Sequence, residues 1–244
     1  LIRAPIQGLA PGERTLEGAL AHYLVRVIRL RAGDTFVAFD PAGGVEADAL
    51  VIHEDGEAIT VRFEALRPGA ATAAAAVTWI QGFAKGDKCD AIVRDATELG
   101  ASQIVVATTM RSVVKLDGGR AEARATRWAR IAEEAARQCG RSAAPKVGKP
   151  VPWPEALASA GQTGARFCLW ERATQPLAPA LQEAMTSGQP LAFACGPEGG
   201  LDSTEVDQAT AQGWLPVSLG PLVLRTETVA AAVLGAVTIL SKAR

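Results

Sequence analysis

From Val77 to Lys242, short apolar runs alternate with amphipathic stretches of helical period, and that alternation leaves few folds open. Residues 77–82, 103–107, 166–170, 191–195 and 214–219 read as strands, each too short for a helix. Between them, 87–99 places Cys89, Ile92, Val93, Ala96 and Leu99 on one face, and 121–139 does the same with Trp128, Ile131, Ala132, Ala135 and Cys139. Gly100 and Gly140 stand where left-handed C-caps belong. Residues 176–186, 202–212 and 226–242 complete the helices, and Asp202 and Glu205 have capping-box spacing. Strands and helices in strict alternation predict an α/β domain: a parallel sheet covered on both faces.

Residues 1–67 follow another rule. One helix-like stretch, 16–30, precedes strand-like runs at 35–39, 45–53 and 58–66. The second alternates as Val45, Ala47, Ala49, Val51 and the third as Ile59, Val61, Phe63, Ala65, with a turn signal at Asp40-Pro41-Ala42-Gly43-Gly44. A small β-rich domain, a compact barrel, is expected. Arg67-Pro68-Gly69-Ala70-Ala71-Thr72 and the alanines after it suit a linker, which divides the chain into 1–70 and 74–244.

Composition excludes some functions. No apolar stretch reaches the length of a membrane span, and none of signal-peptide type stands at the start, so a cytoplasmic protein without a membrane partner is expected. Cys89, Cys139, Cys168 and Cys195 form no CxxC pair, and His22 and His53 are isolated, so no metal site is expected. Net charge is −1, but it is unevenly spread: −3 over residues 1–76, +5 over 77–150 and −3 over 151–244. A basic middle segment can meet phosphate even in a nearly neutral chain; a solvated helix face is the alternative.

Open α/β sheets bind ligands beyond the carboxyl ends of their strands. Three such ends carry Leu169-Trp170-Glu171, Gly196-Pro197-Glu198-Gly199-Gly200 and the run from Ser218 through Leu219-Gly220-Pro221-Leu222-Val223-Leu224-Arg225. Glycines in the last two let backbone approach a ligand closely, and each of those turns opens a helix with unpaired N–H groups. Neither a P-loop nor a G-x-G-x-x-G string is present. The residues alone reach as far as a backbone-lined small-molecule pocket, with a plain structural turn as the alternative.

The 196–200 string, followed by Leu219-Gly220-Pro221 and Leu224-Arg225-Thr226-Glu227-Thr228, resembles the SPOUT-class 16S ribosomal RNA uridine-N3 methyltransferases. Lys85-Gly86-Asp87, Thr97-Glu98-Leu99-Gly100, Arg111-Ser112-Val113, Glu134-Ala135-Ala136-Arg137-Gln138-Cys139-Gly140-Arg141 with Pro145, and the block from His22 to Leu30 match as well, so the resemblance spans nearly the whole chain. It implies a PUA-like RNA-binding β-barrel and a SPOUT α/β domain with a C-terminal trefoil knot. It implies S-adenosylmethionine bound by Leu169, Trp170, Glu171, Gly196, Pro197, Glu198, Gly199, Gly200, Ser218, Leu219, Gly220, Leu224, Arg225 and Thr228. A homodimer is implied too, with a uridine of the U1498 type in 16S RNA, naked or in the small ribosomal subunit, as substrate. RNA contacts are expected from Arg111, Lys115, Gln138 and Arg141, and from Arg26, Arg29 and Arg31 of the small domain. One position departs from the family: Leu222 stands where an arginine is usual.

Methyl transfer from a sulfonium needs alignment rather than a metal. The target N3 lies on the Watson–Crick edge, so the base must be unpaired or turned out. Donors aimed at O2 or O4 stabilise the negative charge that develops. Arg225 is the candidate for that role; Glu227, Glu198 or Glu171 would accept a proton or orient Arg225. The competing readings are a SPOUT methyltransferase of transfer RNA, a non-catalytic RNA-binding protein that keeps the fold, and a nucleotide-binding α/β enzyme, which the missing phosphate fingerprints disfavour.

Overall fold

The computed structural model describes residues 2–40, 43–69, 76–112 and 118–242. Turn residues Pro41 and Ala42 and linker residues 70–75 lie outside the described residues. The chain divides into two compact units, Leu1–Thr72 with Ala136–Ala143, and Ala73–Ala135 with Ala144–Arg244.

The first unit contains β1 (Arg3–Pro5), β2 (Gly12–Leu16), α1 (Gly18–His22), a π-helical turn (Tyr23–Val27), β3 (Thr35–Asp40), β4 (Val45–Glu54), β5 (Ile59–Phe63) and β6 (Arg67–Pro68). The sheet runs β1-β3-β4-β5-β2, with β6 beside β4. Ala47, Ala49 and Val51 of β4 and Ile59, Val61 and Phe63 of β5 turn to one side and bury against Leu24, Phe36 and Leu16. The alternation read from the sequence is this inward face, except that Val45 is only half-buried and Ala65 lies exposed beyond the end of β5. The helix expected over 16–30 is shorter. Leu16 fits its period but pairs with Ile59 in an antiparallel ladder. Gly18, at φ 69°, turns the chain into α1 as its first residue, and Arg29, at φ 65°, ends the helical run. β1 and β2 carried too little alternation to be read: β2 is exposed at every position except Leu16.

The second unit contains β7 (Val77–Gly82), α2 (Lys88–Glu98), β8 (Gln103–Thr108), α3 (Gly118–Cys139, whose last turn packs in the first unit), β9 (Lys146–Val147), β10 (Val151–Pro152), α4 (Trp153–Ser159), β11 (Ala165–Leu169), α5 (Leu177–Thr186), β12 (Leu191–Cys195), α6 (Ser203–Ala211), β13 (Leu215–Val217) and α7 (Thr226–Lys242). The sheet order is β10-β8-β7-β12-β11-β13, with β9 beside β8. Every ladder among these strands is parallel. Successive residues point to opposite faces. Trp79 and Phe193 therefore join Ile92, Trp128, Leu181 and Leu234 in one apolar layer. Ile80 and Ala194 join Trp153, Leu157, Val206 and Trp214 in the other. The five residues of β12 are all buried, as its central place requires. The seven-residue α4 is too short to show a period, and the sequence reading passed over it. Among the described residues no helix is long and apolar enough to cross a membrane.

Candidate active site

The register of three neighbouring strands builds the site. Leu169 on β11 aligns with Cys195 on β12 and with Val217 on β13, so the turns that follow leave the sheet at one level. They enclose a cavity of about 420 Å³. Of the residues expected to hold a cofactor, Leu169, Trp170, Glu171, Gly196, Pro197, Glu198, Gly199, Gly200, Leu219, Gly220, Leu224 and Arg225 line it, joined by Lys88, Leu222, Val223 and Thr226. Ser218 and Thr228 do not. Ser218 instead fixes the chain before α5, donating its N–H to Gln175 O at 2.9 Å and accepting from Leu177 N at 2.9 Å. Thr228 is an exposed residue of the first turn of α7.

Close packing dictates the glycines. A β-carbon on Gly196 would stand 2.7 Å from the carbonyl carbon of Gly200, and one on Gly82 would stand 2.6 Å from the Pro197 nitrogen. Gly200 has φ 71°, which side chains disfavour. The turn closes through Gly200 N to Pro197 O at 2.9 Å.

One buried amide ties this turn to the start of α7. Gln81, 1% exposed, donates from Nε2 to Gly196 O at 3.0 Å, Gly82 O at 3.0 Å and Thr226 Oγ1 at 2.8 Å. Its Oε1 accepts from the Trp79 indole at 3.2 Å, and the Thr226 hydroxyl also donates to Gly196 O at 2.8 Å. The sequence reading missed Gln81 and Thr226. The available signal was a lone amide inside an apolar strand, which must find partners when buried. Gln81→Leu would leave the indole N–H and the Gly82 carbonyl unsatisfied. A loss of about 1–3 kcal/mol in denaturant unfolding is expected, and an unchanged midpoint would remove Gln81 from this role.

The charged groups divide into engaged and free. Glu198 accepts from Lys85 N at 3.0 Å and pairs with Lys88 Nζ at 3.0 Å. Partial burial pushes its carboxyl up, but its own N–H, Lys88 and the Lys85 N–H together hold it below the usual range. Arg111, expected to contact RNA, spans the turn instead: Nη1 donates to Gly199 O at 2.8 Å and Nη2 to Asp202 Oδ2 at 3.2 Å. Asp202 and Glu205 form the expected capping box, and the Glu205 carboxylate also accepts from Met110 N at 2.8 Å. Arg225 is exposed at the cavity, and its side chain makes no hydrogen bond or ion pair among the described residues. Glu227 does not line the cavity, and its buried Oε2 has no hydrogen-bond partner among the described residues. Burial pushes the Cys195 thiol up to about 12, so this wall offers no thiolate nucleophile. The Trp170 indole N–H is buried without a partner on the same wall.

The other expected RNA contacts are scattered. Arg26, Arg29 and Arg31 are exposed on the first unit, Arg31 pairing with Glu54 at 3.4 Å. Gln138 is exposed. Arg141 is only 7% exposed, and burial lowers its pKa, so its guanidinium is not offered to solvent as a surface contact would be. Lys115 lies outside the described residues. Among the described residues no group of three His, Cys, Asp or Glu is placed to hold a metal. What remains is a backbone-walled pocket with one uncommitted cation at its edge, suited to orient an organic ligand and to meet negative charge.

Two family models match the chain: an RNA methyltransferase domain over residues 71–238 and an RNA methyltransferase PUA domain over residues 16–64. The chain is similar to ribosomal RNA small subunit methyltransferase E of Synechocystis, with 34% identity over 93% of this chain and 73% of that protein. It is similar to the Bacillus subtilis protein of the same name, with 29% identity over 88% of this chain and 85% of that one. The crystal structure of the Neisseria gonorrhoeae protein of that name, bound to S-adenosyl methionine, superposes with a TM-score of 0.83 over 98% of both chains. At 24% identity that likeness is one of fold: a PUA-like β unit and a parallel SPOUT-like α/β unit.

Proposed function

The chain belongs to the family of ribosomal RNA small subunit methyltransferase E, and on that premise we propose that it transfers the methyl group of S-adenosylmethionine to N3 of one uridine of 16S ribosomal RNA, of the U1498 type. The observation that carries the reading is the cavity at the ends of β11, β12 and β13, with Arg225 uncommitted at its edge. The residues fit the cofactor. Gly82 and Gly196 pack the turn too closely for a β-carbon, the Trp170 indole N–H lacks an acceptor among the described residues, and about 420 Å³ suits a nucleoside-sized ligand. The backbone of 169–171, 196–200, 219–220 and 224 would hold it.

When bound, the cofactor supplies an electrophilic sulfonium methyl. The chain's own work is to orient the base and to stabilise its charge. Arg225 donates toward O2 or O4 of the uracil as negative charge grows on the ring. Glu198 is engaged by the Lys85 N–H and by Lys88, which leaves Glu171, on the cavity wall, and Glu227, whose Oε2 is unpaired among the described residues, as the candidates to orient Arg225 or take the N3 proton. Leu222 and Val223, 75% and 82% exposed, form an apolar rim where a neighbouring surface can exclude water. A homodimer, trefoil threading of the last turns, a cytoplasmic site of action and domain limits at 1–70 and 74–244 belong to the same proposal. The exposed Ile239 and Leu240 of α7 support a partner surface.

Mass spectrometry of 16S RNA from cells lacking the gene tests the reading. Loss of one N3-methyluridine, restored by the intact gene, is expected. An unchanged 16S RNA alongside a lost transfer-RNA methylation would move the activity to the other substrate.

A further inference from the structure

The +5 charge of residues 77–150 is not accounted for by the methyl-donor pocket, whose turn engages only the Lys88 and Arg111 side chains of it. Part of the remainder collects in a second concavity, of about 580 Å³. One wall is Gly86, Asp87 and Asp90, at the start of α2; the other is Arg120, Arg124 and Arg127 of α3. Spacings of four and three residues place those arginines on one helix face.

The cleft is built rather than merely charged. Asp90, 9% exposed, accepts from the Trp128 indole at 2.9 Å and from Arg127 Nε at 2.7 Å. The Trp128 bond fixes the carboxylate and the other anchors Arg127 through Nε, which leaves the terminal nitrogens of Arg127 for another acceptor. Arg124 is held only loosely, 3.9 Å from Asp90 and 3.5 Å from Gly86 O. A buried carboxylate already served by an indole and a guanidinium does not need a second arginine, so the charge of Arg124 is left over. Planar guanidinium forks on a rigid concave wall match phosphate oxygens.

The position matters as much as the charge. Lys88 lines the methyl-donor cavity while Gly86, Asp87 and Asp90 line the cleft, so the segment 86–90 is the shared wall of both. We propose that the Arg120–Arg124–Arg127 cleft holds the phosphodiester backbone of the RNA strand whose target base enters the methyl-donor cavity. This rests on the methyltransferase reading, and it adds a path for the strand that the reading itself does not contain.

The test uses the full chain, transcribed unmodified 16S RNA and assembled small subunits. The variant Arg124→Gln keeps a helix-forming side chain and leaves the Asp90–Arg127 pair intact. RNA affinity at about 0.1 M salt is expected to fall about threefold, and the slope of log affinity on log salt to shrink by about 0.7, as for one lost phosphate contact. S-adenosylmethionine affinity and the melting midpoint are expected to stay at the wild-type values. The paired variant Arg124→Lys should restore most of the slope, since it keeps the charge. If the wild-type chain binds RNA and methylates it while both variants keep its affinity and slope, the cleft is not the strand's path. If the wild-type chain neither binds RNA nor methylates it, the methyltransferase reading fails and the proposal with it.

Discussion

Gly196→Ala is expected to abolish measurable S-adenosylmethionine binding, a weakening of about 100-fold or more in calorimetry. The reason is geometric. A β-carbon at 196 would stand 2.7 Å from the carbonyl carbon of Gly200 and 2.9 Å from Leu201 N, so backbone on the far side of the turn must move. Shifts of about 1 Å in positioning groups cost on the order of 100-fold. The overpacked turn should also lower stability by about 1–3 kcal/mol while leaving the sheet folded. Gly148→Ala is the control: its β-carbon meets nothing within 4 Å, and it should behave as wild type. Wild-type affinity in the Gly196 variant would take the cofactor out of the 196–200 turn altogether.

Arg225→Ala should lower turnover by about 100- to 1000-fold, as removal of a donor to a developing oxyanion does elsewhere. Stability should change by no more than about 0.5 kcal/mol, because the side chain is exposed and makes no bond among the described residues. Cofactor affinity should change little, and Arg225→Lys should recover part of the rate by returning a point charge without the planar fork. A structural role would show the reverse: a lower melting midpoint with turnover preserved. Near-normal turnover in the alanine variant would remove Arg225 from the chemistry.

Much of the second unit was legible because both faces of its sheet are buried. Leu191–Cys195 is apolar along its length and Val77–Gly82 is so apart from Thr78 and Gln81, and the helices between them carry a regular stripe, so local composition reports tertiary burial. Elements whose pairing is long-range or whose residues face water were not legible. Leu16 carried a helical period and became the end of β2, because its partner Ile59 lies 43 residues away. The site split in the same way. The glycine turns could be seen as turns, but Ser218 and Thr228 are not among the residues lining the cavity, and the two partners of Arg111 lie 88 and 91 residues distant.

By itself, then, the sequence determined the class of each unit, the three strand ends that matter and the resemblance in their turns, since these depend on the order of residues along the chain. Only the tertiary structure decided which charges are free. Arg111 and Glu198 are consumed by contacts across the fold, Arg141 is buried, and Arg225 is left open at the cavity. Gln81 shows the same limit: its three acceptors, Gly82, Gly196 and Thr226, meet only when parallel strands align, and hydrogen-bond partners chosen by register carry no mark in the local sequence.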